Sequence, residues 1–149
     1  MHKGKILPPV YVLAALVLAL GLHYTWPVAT IVPSPWNRIG IVVLLAGLTL
    51  IVSPAFVFSA RRTAIKPFDE STVLIQDGLY AYSRNPIYVG MTTMVLGVAL
   101  LLGTVKVFVT PILLALVLRL LFIRVEEKML EDTFGQVYLT YKSRVRRWL

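Results

Sequence analysis

The chain has 149 residues, of which 58% are hydrophobic and 15% charged, and its mean hydropathy is +0.79. This composition excludes an ordinary water-soluble domain and a disordered chain, because both carry far more polar residues. The formal net charge is +8, and the positions of the basic residues indicate a membrane protein rather than one that binds nucleic acid. With no cysteine and only two histidines, the sequence predicts neither disulfides nor a metal site.

Four apolar stretches are about long enough to cross a bilayer as helices, since a hydrocarbon core about 30 Å thick needs about 20 residues. They are Leu7–Tyr24, Ile39–Phe58, Ile87–Gly103 and Val105–Ile123. Gly103 and Thr104 interrupt the apolar run between the last two stretches and predict a tight helical hairpin. We therefore expect an all-α integral membrane protein of one domain, with two spans in residues 1–59 and the sequence motifs in residues 60–149.

Lysine and arginine are distributed unevenly around these stretches. If both termini lie on one side, that side holds 12 of the 15 basic residues, the other holds Arg38 and Lys106, and Arg119 lies inside the fourth span. Because cytoplasmic loops are enriched in Lys and Arg, both termini are predicted to be cytoplasmic. Beyond the fourth span, apolar residues recur at helical spacing and predict a cytoplasmic helical region with one apolar stripe. The stripe comprises Phe134, Val137, Tyr138 and Tyr141.

The first block of polar residues precedes the third span. It contains the short apolar run Thr72–Ile75, the turn-forming pair Asp77-Gly78, and then Asn85-Pro86. Proline disfavours a helical conformation in the residue before it and suits the first turn of a helix. The third helix is therefore expected to begin at Pro86, where its free N–H groups could bind an anionic or polar group.

The second block follows the fourth span. Glu126 and Glu127 are adjacent, so on a helix they point about 100° apart and cannot act as a carboxylate pair; we expect one to face inward and the other to face water. Arg119 is a functional candidate, because a charge within an apolar span needs a partner or an aqueous cavity. Two alternatives remain for Arg119, snorkelling to the interface and pairing with Glu126 or Glu127.

Together the two blocks resemble the isoprenylcysteine carboxyl methyltransferases and the related phospholipid methyltransferases. The likeness covers roughly residues 60–149 and rests on two patterns, Gly78-x-Tyr80-x-x-x-Arg84-Asn85-Pro86-x-Tyr88-x-Gly90 and Glu126-Glu127-x-x-Leu130-x-x-x-Phe134-Gly135-x-x-Tyr138-x-x-Tyr141. It implies an S-adenosylmethionine-dependent methyltransferase of the membrane, with S-adenosylhomocysteine as its product. Asn85 stands where eukaryotic members usually have histidine, which is similar to bacterial members, so the bacterial cytoplasmic membrane is the expected location.

The resemblance also implies which residues form the site. The cofactor is expected to contact Thr72, Val73, Leu74, Ile75, Tyr80, Asn85, Pro86, Ile87, Tyr88 and Glu126. Apart from the resemblance, we predict from their positions along one helix that Arg119 and Arg124 serve the acceptor side, and we take Glu127 as a further candidate catalytic residue. No metal ion is implied, because the leaving thioether needs neither a proton nor a Lewis acid.

The expected acceptor is a lipophilic or lipid-modified molecule that enters from the membrane lipids and is methylated on a carboxyl oxygen. Phospholipid N-methylation within the same family is the first alternative. A membrane reductase with a nicotinamide cofactor and a non-catalytic scaffold or transporter are the others. The sequence leaves the acceptor and the oligomeric state open.

Overall fold

The computed structural model of the protein describes residues 7–25, 29–60 and 74–149, with side chains described outside residues 55–60. In these ranges the architecture is helical, and the only β-type pairings are isolated bridges. The helices are α1 (Pro8–Thr25), α2 (Ile39–Ala60), α3 (Pro86–Leu102), α4 (Val109–Leu118), α5 (Arg124–Phe134) and α6 (Gln136–Arg144). The tighter or wider turns between them are three 3-10 turns, Trp36–Arg38, Gly78–Ala81 and Val105–Phe108, and one π-helical turn, Arg119–Ile123.

Three segments are long and apolar enough, by length and composition, to cross a membrane. They are Pro8–Thr25, Trp36–Pro54 and Val105–Phe134. Helix α3, with 17 residues, is apolar but shorter. Many large apolar side chains on α1, α2 and α4 remain exposed, which a soluble protein of this size would not tolerate but which lipid covers.

Helices α2 and α3 pack against each other through glycines. Gly40 lies against Gly97, and Gly47 lies against Gly90. A Cβ built on Gly47 would lie only 2.5 Å from the backbone nitrogen of Met94, and one on Gly97 would lie 2.8 Å from the carbonyl oxygen of Gly40. The two backbones therefore touch directly, which is how small residues bring helices together where no hydrophobic effect assists.

The predicted hairpin between α3 and α4 is confirmed. Gly103 ends α3 in the left-handed helical conformation, with φ +68°, which glycine adopts without a Cβ penalty. His23 Nδ1 and Thr104 Oγ1 are 2.9 Å apart, and Asn37 Nδ2 donates a 2.9 Å hydrogen bond to the Leu101 carbonyl. The loop between α1 and α2 is thus held on this hairpin, at one end of the bundle.

The opposite end of the bundle carries the start of α3 together with α5 and α6. Near this end, Val12 of α1 packs in a cluster with Tyr88 and Phe122, whereas Ala19 packs with Ala99 nearer the hairpin. Helix α1 therefore begins at the end where α5 and α6 lie. That both termini lie on the cytoplasmic side stays a prediction.

The C-terminal segment is not one continuous helix. Gly135, with φ +51° and ψ −124°, separates α5 from α6 in a conformation that is essentially confined to glycine. Tyr138 and Tyr141 are buried, but Val137 is 59% exposed. The predicted apolar stripe is wrong in including Val137, because the break at Gly135 turns α6 away from the continuous helical register.

Candidate active site

A carboxylate of α5 and a phenol of α3 meet at the end of the bundle where α3 begins. The Tyr88 hydroxyl donates a 2.5 Å hydrogen bond to Glu126 Oε1, and the Tyr88 side chain is buried. Burial raises the pKa of the nearby Tyr80, and the neighbouring Tyr141 and Glu126 raise it further. Three residues that the sequence assigned to a cofactor site, Tyr80, Tyr88 and Glu126, are therefore brought together by the fold.

Helix α6 holds the turn that carries Tyr80. The Tyr141 hydroxyl donates a 2.7 Å hydrogen bond to the Tyr80 carbonyl. Burial raises the pKa of Tyr141, with the neighbouring Tyr138 as the next cause. Burial, followed by the charge of Glu127, raises the pKa of Tyr138 to about 12. Both phenols therefore keep their protons at neutral pH, and Tyr141 remains a hydrogen-bond donor.

Helix α3 begins at Pro86, as predicted, and the residues before it form a turn. Within this turn the Asn85 backbone N–H donates to Ser83 Oγ at 3.1 Å. The Asn85 side-chain amide donates to the Arg147 carbonyl at 2.9 Å. The side chain of Asn85, which was expected to contact the cofactor, thus holds the C-terminal tail.

Glu127 lies in a cluster of ion pairs. The Arg147 guanidinium donates two hydrogen bonds to its carboxylate, from Nε to Oε1 at 2.9 Å and from Nη2 to Oε2 at 2.7 Å. Arg84 Nη2 lies 3.3 Å from Oε1, and the side chains of Arg84 and Glu127 are each 8% exposed. The expectation that one of the two glutamates faces water is wrong, because the two arginines allow Glu127 to be buried while Glu126 bonds to Tyr88.

The π-helical turn Arg119–Ile123 changes the register between α4 and α5. One extra residue in a helical turn rotates all following side chains by about 100° relative to a continuous α-helix. Phe122 and Ile123 are buried at this turn, whereas Arg119 and Arg124 are exposed. Regular α-helical periodicity therefore could not predict whether Arg119 and Glu126 lie on the same face of the helix.

An apolar groove of about 460 Å³ lies between α3 and α4. Thr92 and Leu96 form its α3 side, Phe108 lies at one end, and Arg119 and Trp148 lie at the other. At 1.5 Å per residue, Phe108 and Arg119 are about 16 Å apart along the helix. We call this the α3–α4 groove.

Arg119 is the charged side chain at that groove. Within the part of the chain that the structure describes, no ion pair joins Arg119 to Glu126 or Glu127. Arg124, the other arginine assigned to the acceptor side, is exposed and does not line the groove. The structure therefore separates the two arginines, and their predicted roles stay predictions.

The other predicted cofactor residues differ in burial. Leu74 is half-buried, Ile75 and Pro86 are buried, and Ile87 packs on the core cluster. Thr72 and Val73 lie outside the described residues.

Sequence reasoning missed three residues that the fold places beside the site. Arg84 and Arg147 pair with Glu127, and Trp148 lines the α3–α4 groove. For Arg84, the sequence signal was its position inside the first motif. Arg147 gave no such signal, because a run of basic residues near the end of a membrane protein normally indicates only the cytoplasmic side.

The fold and site define a class: a small multi-helix membrane protein with buried polar residues at one end of the bundle. A family model described as phospholipid methyltransferase matches residues 36–137. The chain belongs to this family, as the resemblance of its two motifs indicated.

Relatives include two yeast proteins that share the name protein-S-isoprenylcysteine O-methyltransferase. The one from Schizosaccharomyces pombe is 42% identical over 76 residues, covering 49% of this chain and 31% of the relative. The one from Saccharomyces cerevisiae is 35% identical over 79 residues, covering 49% of this chain and 30% of the relative. The chain thus spans about a third of the length of these relatives.

A solved structure of a eukaryotic intramembrane Ras methyltransferase, isoprenylcysteine carboxyl methyltransferase, has a similar fold. Its TM-score is 0.66 at 23% identity, and the match covers 92% of this chain and 50% of that chain. At this identity the likeness concerns the fold alone. Nearly the whole of this chain is therefore built like half of that larger methyltransferase.

Proposed function

We propose that the protein transfers a methyl group from S-adenosylmethionine to the carboxylate of a lipophilic acceptor resembling isoprenylcysteine. The observation that carries this proposal is the juxtaposition, at one end of the bundle, of the polar Tyr80, Tyr88 and Glu126 with a groove headed by Arg119. Its family and the names of its yeast relatives support the same reaction class.

The cofactor side is proposed to be formed by Tyr80, Tyr88 and Glu126. The donor set fits S-adenosylmethionine, because a carboxylate can accept from ribose hydroxyls or pair with an α-ammonium group, and phenols can donate or stack. The hydrogen bond from Tyr88 fixes one carboxylate oxygen of Glu126, and the other oxygen is proposed to bind the ligand. The residues Leu74 and Ile75 would add apolar contacts from the segment leading into the turn.

The acceptor side is proposed to be the α3–α4 groove. Its wall is apolar and open on the face that lipid covers, so a prenyl or alkyl chain can enter sideways from the bilayer. Arg119 would hold the anionic head group at the end nearest the cofactor residues, because a guanidinium recognises a carboxylate with paired hydrogen bonds. Arg124, one turn further on and exposed, would add to the positive potential there.

This chemistry asks little of the protein beyond positioning. When bound, S-adenosylmethionine supplies an electrophilic methyl group whose thioether leaves without a proton. A carboxylate acceptor is already the reactive form at neutral pH, so the residues need only orient it and exclude water. Glu127, held by Arg84 and Arg147, is accordingly proposed to act by fixing these arginines rather than by transferring a proton.

One alternative is favoured by a specific observation. The matched family is described as phospholipid methyltransferase, so a phospholipid amine is the second candidate acceptor. A phospholipid also has an anionic phosphate that Arg119 could bind, but its amine must lose a proton before it can attack. A carboxylate acceptor needs no such proton transfer, which favours it over the amine.

The direct test uses the purified protein in detergent or nanodiscs. Calorimetry should detect binding of S-adenosylhomocysteine but not of nicotinamide nucleotides, and radiolabelled S-adenosylmethionine should label N-acetyl-S-farnesylcysteine as a base-labile methyl ester. Labelling of phosphatidylethanolamine instead would establish the phospholipid reaction. Absence of S-adenosylhomocysteine binding by a folded protein would refute both.

A further inference from the structure

The C-terminal tail, residues 145–149, runs back along the turn that precedes α3. The backbone N–H of Arg84 donates to the Arg146 carbonyl at 3.0 Å, and Ser83 and Arg146 form a parallel bridge. The side-chain amide of Asn85 donates to the next carbonyl, that of Arg147, at 2.9 Å. The tail is therefore fixed by its backbone to the segment that carries the proposed cofactor residues.

The side chain of Arg147 fixes the tail a second time. Its guanidinium binds the carboxylate of Glu127 through two hydrogen bonds, a bidentate geometry that makes an arginine–carboxylate pair strong and directional. The hydrogen bond to Glu127 raises the pKa of Arg147. Because Arg147 is held through both its carbonyl and its guanidinium, the residue that follows it has a defined position.

That following residue, Trp148, connects the two halves of the site. Its half-buried indole packs on the core cluster that contains Tyr88 and Phe122. The same indole lines the α3–α4 groove beside Arg119. Trp148 is thus the aromatic wall of the groove at its charged end, where a head group would be held.

We propose that Trp148 is a specificity-determining residue, which packs against the first part of the acceptor's prenyl chain while Arg119 holds the carboxylate. This inference rests on the proposed function and adds the residue that selects the acceptor. An indole offers a large rigid face, which can align a flexible chain without ordering many bonds of its own. The tail's attachments to Asn85 and Glu127 keep that face in place relative to the cofactor residues.

The first test compares Trp148→Ala with Trp148→Phe. In methyl transfer to the geranyl, farnesyl and geranylgeranyl forms of N-acetyl-S-prenylcysteine, Trp148→Ala should raise the acceptor KM about tenfold or more and flatten the differences among the three chains. Trp148→Phe should restore most of the discrimination, and the Kd of S-adenosylhomocysteine should stay unchanged in both. Trp36→Ala, an exposed tryptophan on the opposite loop, is the matched control and should leave the KM unchanged.

The second test is independent of turnover. The chain has three tryptophans, so Trp26→Phe combined with Trp36→Phe leaves Trp148 as the only tryptophan, which can be excited selectively over tyrosine. Titration with N-acetyl-S-farnesylcysteine should shift or quench its fluorescence in a saturable way, and the prenyl-free N-acetylcysteine should not.

The two tests separate the inference from the proposed function. A saturable Trp148 signal without methyl transfer would support the groove and overturn the reaction. Methyl transfer with an unchanged KM in Trp148→Ala and no Trp148 signal would overturn the role of Trp148 and leave the reaction standing. Failure of both would overturn both.

Discussion

Two neighbouring glutamates in α5 have different surroundings, although the sequence presents them as equivalent. Within the described part of the chain, Glu126 accepts one hydrogen bond, from the phenol of Tyr88, whereas Glu127 pairs with Arg84 and Arg147. A carboxylate with an available oxygen can bind a ligand. A carboxylate paired with two guanidinium groups can bind a ligand only if an ion pair breaks. This difference leads to separate predictions for the two residues.

We expect Glu126→Ala to weaken binding of S-adenosylhomocysteine by about 1.5–3 kcal/mol, or roughly 10- to 150-fold, because it removes a charged acceptor from a partly dehydrated site. Isothermal titration calorimetry measures the change. Glu131→Ala is the control on the same helix, since Glu131 is half-exposed and pairs with Lys142. Unaltered affinity in a folded Glu126→Ala protein would remove Glu126 from the cofactor site.

We expect Glu127→Gln to lower the stability by about 3–5 kcal/mol, because it leaves a buried Arg84 and the neighbouring Arg147 without their counter-charge. Thermal unfolding in detergent, followed by circular dichroism, measures the effect. Breaking the half-exposed pair of Glu131 and Lys142 with Glu131→Ala should cost no more than about 1 kcal/mol. If Glu127→Gln kept its full stability but lost turnover, Glu127 would be catalytic, as first predicted.

At the scale of the elements, the contact of α2 with α3 depends on the absence of side chains. The four glycines at this contact are spaced seven residues apart on each helix, which places two pairs on facing sides of the antiparallel helices. Direct backbone contact favours weak Cα–H···O interactions and dense packing, which replace the hydrophobic effect inside a membrane. On the described part of α2, exposed side chains such as Val42 and Leu45 can contact lipid.

We predict that Gly47→Ala destabilises the protein by about 1–3 kcal/mol, because its Cβ would meet the α3 backbone and force the helices apart. Gly21→Ala in α1 is the matched control, since nothing lies within 4 Å of a Cβ there and alanine favours helix over glycine. The melting temperature should fall for Gly47→Ala and should not fall for Gly21→Ala. Equal melting temperatures would show that α2 and α3 tolerate a wider spacing.

At the scale of the whole molecule, the fold sorts the chain into two ends. The loop before α2 and the α3–α4 hairpin share one end, and the residues of the proposed site share the other. The uneven distribution of lysine and arginine follows this division, because the end with the site is the more basic. We therefore propose that the site faces the cytoplasm, where S-adenosylmethionine would reach it.

This topology can be measured directly, because the chain has no cysteine. Single cysteines at Ser34 and at Ser143, both of which are exposed, should react with a membrane-impermeant maleimide from opposite sides of oriented vesicles. Ser143→Cys should react only from the cytoplasmic side. Labelling of both positions from one side would contradict the arrangement.

The sequence alone determined the class of the protein and most of its element boundaries. Helix α3 begins at Pro86 and its hairpin turns at Gly103, as predicted, because proline and glycine act through local backbone sterics that need no tertiary partner. The apolar length of each stretch likewise decides whether it can span a membrane. The two motifs were sufficient to identify the family, because each is a short run of residues with fixed spacing.

Tertiary structure decided what each charged residue does. Glu127 is buried because Arg147, 20 residues further along the chain, folds back onto it, and no local pattern encodes such a pairing. The π-helical turn Arg119–Ile123 places the residues after it on other helix faces than regular α-helical periodicity predicts. Gly135 interrupts the apolar stripe that the sequence predicted as continuous. Trp148 lines the α3–α4 groove because the tail packs against the turn before α3. Such packing depends on many contacts between residues distant in sequence, whereas a turn depends on a few neighbouring residues.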